Sequence, residues 1–349
     1  MAPPQIRIAS LLPSLTEVVA CIPSLRNSLV AVTHECDYPP EVVERCTRIT
    51  TSHINPAKLT QAEIDKRVKG SLAVGHSLYG IDQDKLREAD PTVVLTQALC
   101  DVCAVSYPIV VGVCARVLGD HPRVISIEPT CLSDVIASVR TVGRECGAEE
   151  EADEVARGLE AGFEKIKAAV KGLPRPKPSS CNVRDSCNLL LADPLFNGGH
   201  WVPDLLDIAG ADYRLAKTKE RSIQITPETL AASDPDIILV APCGFDSTRA
   251  HDDAQHLWQH DWWTQLRAVR DGKVYAMDGN AYYARPGPRL LQGCGIIARL
   301  IHGKSVGQTL GEELAPRHWK QVQAPSAAQL QAKADAAADG AADAIVSSA

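Results

Sequence analysis

Ile237-Ile238-Leu239-Val240 runs directly into Ala241-Pro242-Cys243-Gly244-Phe245-Asp246, a short apolar strand opening onto a turn that carries a thiol. The arrangement occurs twice earlier. Val30-Ala31-Val32-Thr33 leads into His34-Glu35-Cys36-Asp37-Tyr38-Pro39-Pro40, and Val93-Val94-Leu95-Thr96 into Gln97-Ala98-Leu99-Cys100-Asp101-Val102-Cys103. In open parallel α/β sheets, ligands bind in the crevice outside the carboxyl ends of the strands. Three strands that end this way describe a binding cleft.

A chain of 349 residues exceeds a comfortable single core and suits two domains. With 45% hydrophobic and 23% charged residues it has ordinary globular composition, and its formal net charge of -7 argues against a general binder of nucleic acid or anionic membranes. The first ten residues, Met1 to Ser10, lack a charged segment followed by a continuous apolar run and a small-residue cleavage site, so the expected location is cytoplasmic. Twelve cysteines are many, but most sit inside apolar runs as small buried thiols do. In a reducing compartment they do not form a disulfide scaffold.

Strands are expected at 6–11, 30–33, 49–51, 75–82, 92–96 and 124–127, alternating with helices that include 56–70, 84–89 and 109–118. Ser14 and Glu17 fit a capping box ahead of the first helix. From 131 to 171 a single helical pattern, interrupted only near Gly147, predicts a rod of roughly 60 Å. Residues 172–180 read as a linker, after which a second α/β unit takes strands at 189–191, 223–225, 237–240 and 274–277 and a last helix at 288–302. The expected domains are an N-terminal α/β lobe at 1–130, a connecting helix at 131–172, a C-terminal α/β lobe at 173–305 and a polar, Ala-rich tail at 306–349, either weakly helical or disordered.

Several segments resemble the class III substrate-binding proteins of ABC importers, and among these the cobalamin-binding members. They are Ser10-Leu11-Leu12-Pro13-Ser14-Leu15-Thr16-Glu17, Cys36-Asp37-Tyr38-Pro39-Pro40, Asp193-Pro194-Leu195-Phe196-Asn197-Gly198-Gly199-His200-Trp201, Asp234-Pro235-Asp236-Ile237-Ile238 and Ala284-Arg285-Pro286-Gly287-Pro288-Arg289-Leu290. The resemblance implies an α/β fold of two Rossmann-like lobes joined by a long rigid helix, and non-enzymatic binding of a metal chelate, cobalamin or another corrinoid first, between the lobes. It also implies a membrane transporter as partner. The cysteine-bearing loops resemble a soluble subgroup of these proteins.

A corrinoid is a broad, mostly apolar macrocycle fringed with amides, which asks for aromatic faces and a few polar donors. In a chain with only 4% aromatic residues, Tyr38, Trp201, Tyr282 and Tyr283 fall in strand-end loops of both lobes. Gln97, Phe196 and Arg285 join them as candidate ligand contacts, His53 and His200 are candidate imidazole ligands, and Asp193 with Arg285 either organise the cleft loops or cap helices. A rival reading uses the thiols: His34, Cys36, Cys100, Cys103 and Cys243 supply soft ligands for zinc or another thiophilic ion bridging the cleft. A third reading is an interaction protein with a vestigial cleft. No phosphate loop, H-E-x-x-H or G-x-S-x-G supports catalysis.

Overall fold

The computed structural model describes residues 6–53, 67, 70, 78–98, 105–175, 178–183, 195–303, 306 and 318–324. The first lobe comprises β1 (Ile8–Ser10), α1 (Pro13–Cys21), β2 (Leu29–Val32), α2 (Pro40–Val43), β3 (Thr47–Arg48), β4 (Thr50–Ser52), β5 (Tyr79–Ile81), α3 (Gln83–Ala89), β6 (Val93–Thr96), α4 (Tyr107–Leu118) and β7 (Arg123–Ser126). Two long helices follow, α5 (Leu132–Cys146) and α6 (Glu149–Val170). The second lobe opens with β8 (Pro178–Val183), β9 (Leu195–Asn197), α7 (Val202–Ile208), β10 (Gln224–Ile225), α8 (Pro227–Ala232) and β11 (Ile237–Val240). It continues with α9 (Ser247–Ala254), a 3-10 turn at Gln255–Gln259, α10 (Asp261–Gln265), α11 (Arg267–Arg270), β12 (Val274–Met277), α12 (Gly279–Tyr282), α13 (Leu290–His302) and β13 (Trp319–Gln321).

Continuous apolar runs make buried parallel strands, because helices cover both faces of such a sheet. The first sheet has the order β3-β2-β1-β6-β7 and is parallel throughout, with Ile8 beside Leu29 and Val93 at its centre. In the second sheet, ordered β10-β9-β8-β11-β12-β13, the β8–β11 and β11–β12 pairings are parallel and the other three are antiparallel. A separate ribbon pairs β4 with β5. The carboxyl ends of β2, β11 and β12 are thereby left open for loops.

The rod expected at 131–171 is a helical hairpin. Gly147 takes a left-handed conformation (φ 74°) that ends α5, and α6 alone measures about 33 Å at 1.5 Å per residue. The two helices fold back on each other so closely that a Cβ on Gly143 would lie 2.1 Å from Ala152 Cβ. Arg140 reinforces the return by bonding Asp153 at 2.8 Å and Glu160 at 2.8 and 3.0 Å. One contiguous apolar cluster runs through α1, α5, α6, α7 and α13, taking in Leu15, Val139, Phe163, Leu205 and Ile297, so both lobes share it.

Other expectations shift for local reasons. The proposed capping box at Ser14 and Glu17 is absent: Leu12 is the N-cap, no side chain caps it, and Glu17 is buried. Part of the expected linker forms β8, while the strand at 189–191 and most of the helix at 56–70 lie outside the described residues. Within the tail, β13 pairs antiparallel with β12, anchored by Trp319 edge-on to Tyr275 at 5.5 Å and by buried Val322. Residues 325–349 lie outside the described residues.

Crowding at the hairpin generates a test. Gly143→Ala should destabilise the protein by about 1–3 kcal/mol through overpacking against α6, read from denaturant unfolding midpoints. An unchanged midpoint would mean the helices separate without cost.

Candidate binding cleft

Loops from both lobes meet above the parallel strand ends. The turn after β2 contributes Asp37 and Tyr38 to a cavity of about 480 Å³. From the second lobe, the turn after β11 contributes Gly244, Asp246 and Arg249, and the segment after β12 contributes Asp278, Asn280, Ala281 and Arg289. The two turns of the second lobe interlock, because a Cβ on Gly279 would sit 2.1 Å from the Pro242 carbonyl oxygen. Asn280 N–H donates to the Phe245 carbonyl at 3.1 Å, and its side-chain amide reaches Asp37 at 3.2 Å across the cleft.

Behind the cavity lies a buried ionic cluster. Glu17, on α1 of the first lobe and 3% exposed, accepts Arg289 Nε at 2.9 Å and Nη2 at 2.5 Å, while Arg285 Nη1 lies 3.4 Å away. Arg285 also bonds Asp37 through both terminal nitrogens and donates to the Glu35 carbonyl at 3.1 Å. The Arg289 guanidinium lies over the Tyr38 ring at 4.2 Å. Charged groups so deep require partners with matched geometry, and bidentate Arg–carboxylate contacts supply it.

Two further carboxylates face the cavity while capping helices. Asp246 Oδ1 accepts the Thr248 and Arg249 N–H groups at 2.9 and 2.8 Å, and Asp278 Oδ1 accepts Ala281 N–H at 2.7 Å. Burial pushes the Asp278 carboxyl up from its ordinary range, against the opposing effects of the Ala281 hydrogen bond and Arg289. Arg249 stacks on Phe245 at 3.9 Å.

Of the aromatic residues expected to face a ligand, Tyr38 alone lines this cavity and is 40% exposed. The structure puts Trp201, Tyr282 and Tyr283 in the core instead: Trp201 Nε1 donates to the Tyr283 carbonyl at 2.8 Å, Tyr283 Oη donates to the Gly293 carbonyl at 3.1 Å, and Tyr282 Oη pairs with His318 Nδ1 at 2.8 Å. For Trp201 the reason is strand direction. Because β9 is antiparallel, Asn197 is already level with Cys181, Val240 and Ala276, and the chain then runs back from the cleft edge. Phe196 is half-buried within β9, and His200 lies against Trp201 at 5.4 Å. Gln97 is buried beyond β6, and the His53 N–H ties the end of β4 to Leu78 at 2.9 Å. Arg285 does stand at the cleft, as the link between Glu17 and Asp37.

The thiol site does not assemble from the described residues, which hold no group of three His, Cys, Asp or Glu arranged for a metal ion. Cys36 is 1% exposed, packed in the core with its sulfur 3.1 Å from Thr16 Oγ1 and 3.2 Å from Thr33 Oγ1. Burial raises its pKa, which disfavours the thiolate a metal needs. His34 Nδ1 pairs with Thr50 Oγ1 at 2.8 Å, and its Nε2 lies 3.3 Å from Glu35, whose carboxyl it holds low. Cys243 is exposed in the second lobe, whereas Cys100, Cys103 and Asp193 lie outside the described residues.

The sequence profile of the periplasmic binding proteins matches residues 78–281, more than half of the chain. The chain belongs to that family. It is 22% identical over 299 residues to the uncharacterized ABC transporter substrate-binding lipoprotein YvrC of Bacillus subtilis, covering 85% of this chain and 80% of that protein. Among solved structures it shares its fold with the vitamin B12-binding protein BtuF of Vibrio cholerae (TM-score 0.55, 18% identity, 87% of this chain and 96% of that one). It is similar also to the haem-binding protein RhuT of Roseiflexus (TM-score 0.61, 16% identity, 88% and 99%). Family membership supports the expected fold class and a non-enzymatic binder of small molecules in an ABC import system. It overturns the cytoplasmic location expected from the N-terminus, since the family is periplasmic and the Bacillus relative is a lipoprotein.

Asp246, Arg249, Asp278, Asn280 and Arg289 went unselected in the sequence although they follow strands β11 and β12. The strand-end rule that singled out Cys243 reaches Asp246 and Asp278 equally well.

Contrast between the thiols gives a second test. With its pKa raised, Cys36 should resist iodoacetamide at pH 7.5 in the native protein while Cys243 is alkylated, as read by peptide mass spectrometry. Equal labelling would show that Cys36 is exposed in solution.

Proposed function

We propose that the cleft captures a metal chelate, with cobalamin or another corrinoid the leading ligand, and presents it to an ABC importer. The observation that carries this reading is the cavity at the carboxyl ends of β2, β11 and β12, walled by loops from both lobes. Such a crevice is where an α/β sheet takes its ligand. Its chemistry suits an amide fringe: Asp246 and Asp278 accept amide hydrogens, Asn280 both accepts and donates, and Tyr38 offers an apolar ring near the rim. The fold shared with a vitamin B12-binding protein and a haem-binding protein supports a metal chelate as the ligand class.

Lobe movement on binding should be small, because the lobes share one apolar cluster and are tied by Glu17, Arg285 and Arg289. Titration calorimetry of the full chain with cyanocobalamin should give saturable one-to-one binding, and Tyr38→Ala should weaken it about tenfold, the loss of one aromatic contact of about 1.4 kcal/mol. Absence of binding to cobalamin, haemin and a ferric hydroxamate alike would sink the proposal.

A further inference from the structure

Two of the three arginines at the cleft are engaged by carboxylates. Arg289 spends Nε and Nη2 on Glu17, and its guanidinium lies 4.2 Å from the ring of Tyr38 and 5.7 Å from that of Tyr282. Arg285 divides its terminal nitrogens among Glu17, Asp37 and the Glu35 carbonyl. Asp246 and Asp278, by contrast, each use one oxygen for a helix cap. On the cavity wall and directly behind it, among the described residues, four carboxylates (Glu17, Asp37, Asp246, Asp278) therefore face three guanidiniums (Arg249, Arg285, Arg289).

We propose that Glu17, which does not line the cavity, is the positioning residue that sets its charge preference: by engaging Arg289, while Asp37 pairs Arg285, it neutralises the guanidinium charge that would otherwise recruit an anionic chelate, leaving a cleft for neutral or cationic, amide-rich chelates. This deepens the chelate-binding reading above and rests on it. A carboxylate in bidentate contact with a guanidinium cancels most of its field a few ångströms away, and in a poorly solvated site little screening by salt replaces that effect. The geometry also fixes which part of Arg289 a ligand meets. With the Nε–Nη2 edge occupied by Glu17, Nη1 is the donor left to meet a ligand.

Specificity is a difference of affinities, and here the discriminating element is an acceptor-rich wall that repels carboxylates. The capping aspartates contribute to it, since their carboxylates are fixed by the backbone of α9 and α12 and cannot swing away from an incoming anion. A ligand amide or ammonium meets acceptors in place. A propionate or catecholate meets like charge.

The test uses the full chain and three probes: cyanocobalamin, which is neutral; ferrioxamine B, which is cationic; and haemin, which carries two propionates. Wild-type protein should bind cyanocobalamin or ferrioxamine B about tenfold or more tightly than haemin by calorimetry. Glu17→Gln keeps the side-chain size but offers one acceptor oxygen in place of two and releases the charge on Arg289, and should shift the affinity ratio about tenfold toward haemin. Arg289→Gln, the complementary variant, should shift it the other way and serves where Glu17→Gln does not fold. Preference of the wild type for haemin, or equal weakening of all probes by Glu17→Gln, would overturn the proposal while leaving chelate binding intact. Failure of every probe to bind would overturn the chelate reading itself.

Discussion

A carboxylate at 3% exposure, held by two arginines from the opposite lobe, is the constraint on which the cleft depends. Glu17 sits midway along the helix that follows the central strand of the first sheet, and the loop carrying Arg285 and Arg289 lies on it, close enough for Gly287 to approach Ser14. Removing such charges from water costs several kcal/mol per ion, so the cluster is weak as a source of stability. What it determines is register. The same loop lines the cavity, and the lobes cannot slide past each other without uncovering an unpaired buried charge.

The helical hairpin acts with this ionic link. A lone rod would join the lobes at its two ends, whereas α5 and α6 lie side by side and bury Val139 and Phe163 in the cluster that also holds Leu205 and Ile297. Gly162 permits the close contact of α6 with Leu291 on α13, the helix that begins next to Arg289. Packing in protein interiors is dense and resists gradual deformation. Apolar packing and the buried charges thus hold the same boundary, one from the side and one from the cleft.

Most of the architecture was legible because it rests on runs of β-branched and aliphatic residues whose burial leaves them no other use. Val93 to Leu95 and Ile237 to Val240 are buried strands at their expected positions. The hairpin was misread because Gly147 is one residue in forty with a helical pattern on both sides, and periodicity does not report the left-handed conformation that turns the chain around. Trp201 was misplaced for a different reason. Pattern alone does not give strand direction, and an antiparallel β9 carries that tryptophan into the core. The role of Glu17 was hidden by a local motif, since Ser14 and Glu17 have capping-box spacing but the decisive partners lie some 270 residues away, at separations of 268 and 272.

Strand ends led to the proposed cleft, but among the described residues it is carboxylates and arginines, not thiols, that line it. A thiol after an apolar strand is equally a small hydrophobe, and Cys36 behaves as one, packed beside Thr16 and Thr33 with its pKa raised by burial. A carboxylate in the same kind of turn has fewer options. It cannot be buried unpaired, so it must cap a helix, pair with an arginine or face the cavity, and Asp37, Asp246 and Asp278 each do two of these at once. For an open α/β cleft, the acidic residues a few positions beyond the strands are therefore better markers of the cavity wall than a thiol such as Cys36, because desolvation leaves a thiol free to turn inward and holds a carboxylate at the edge.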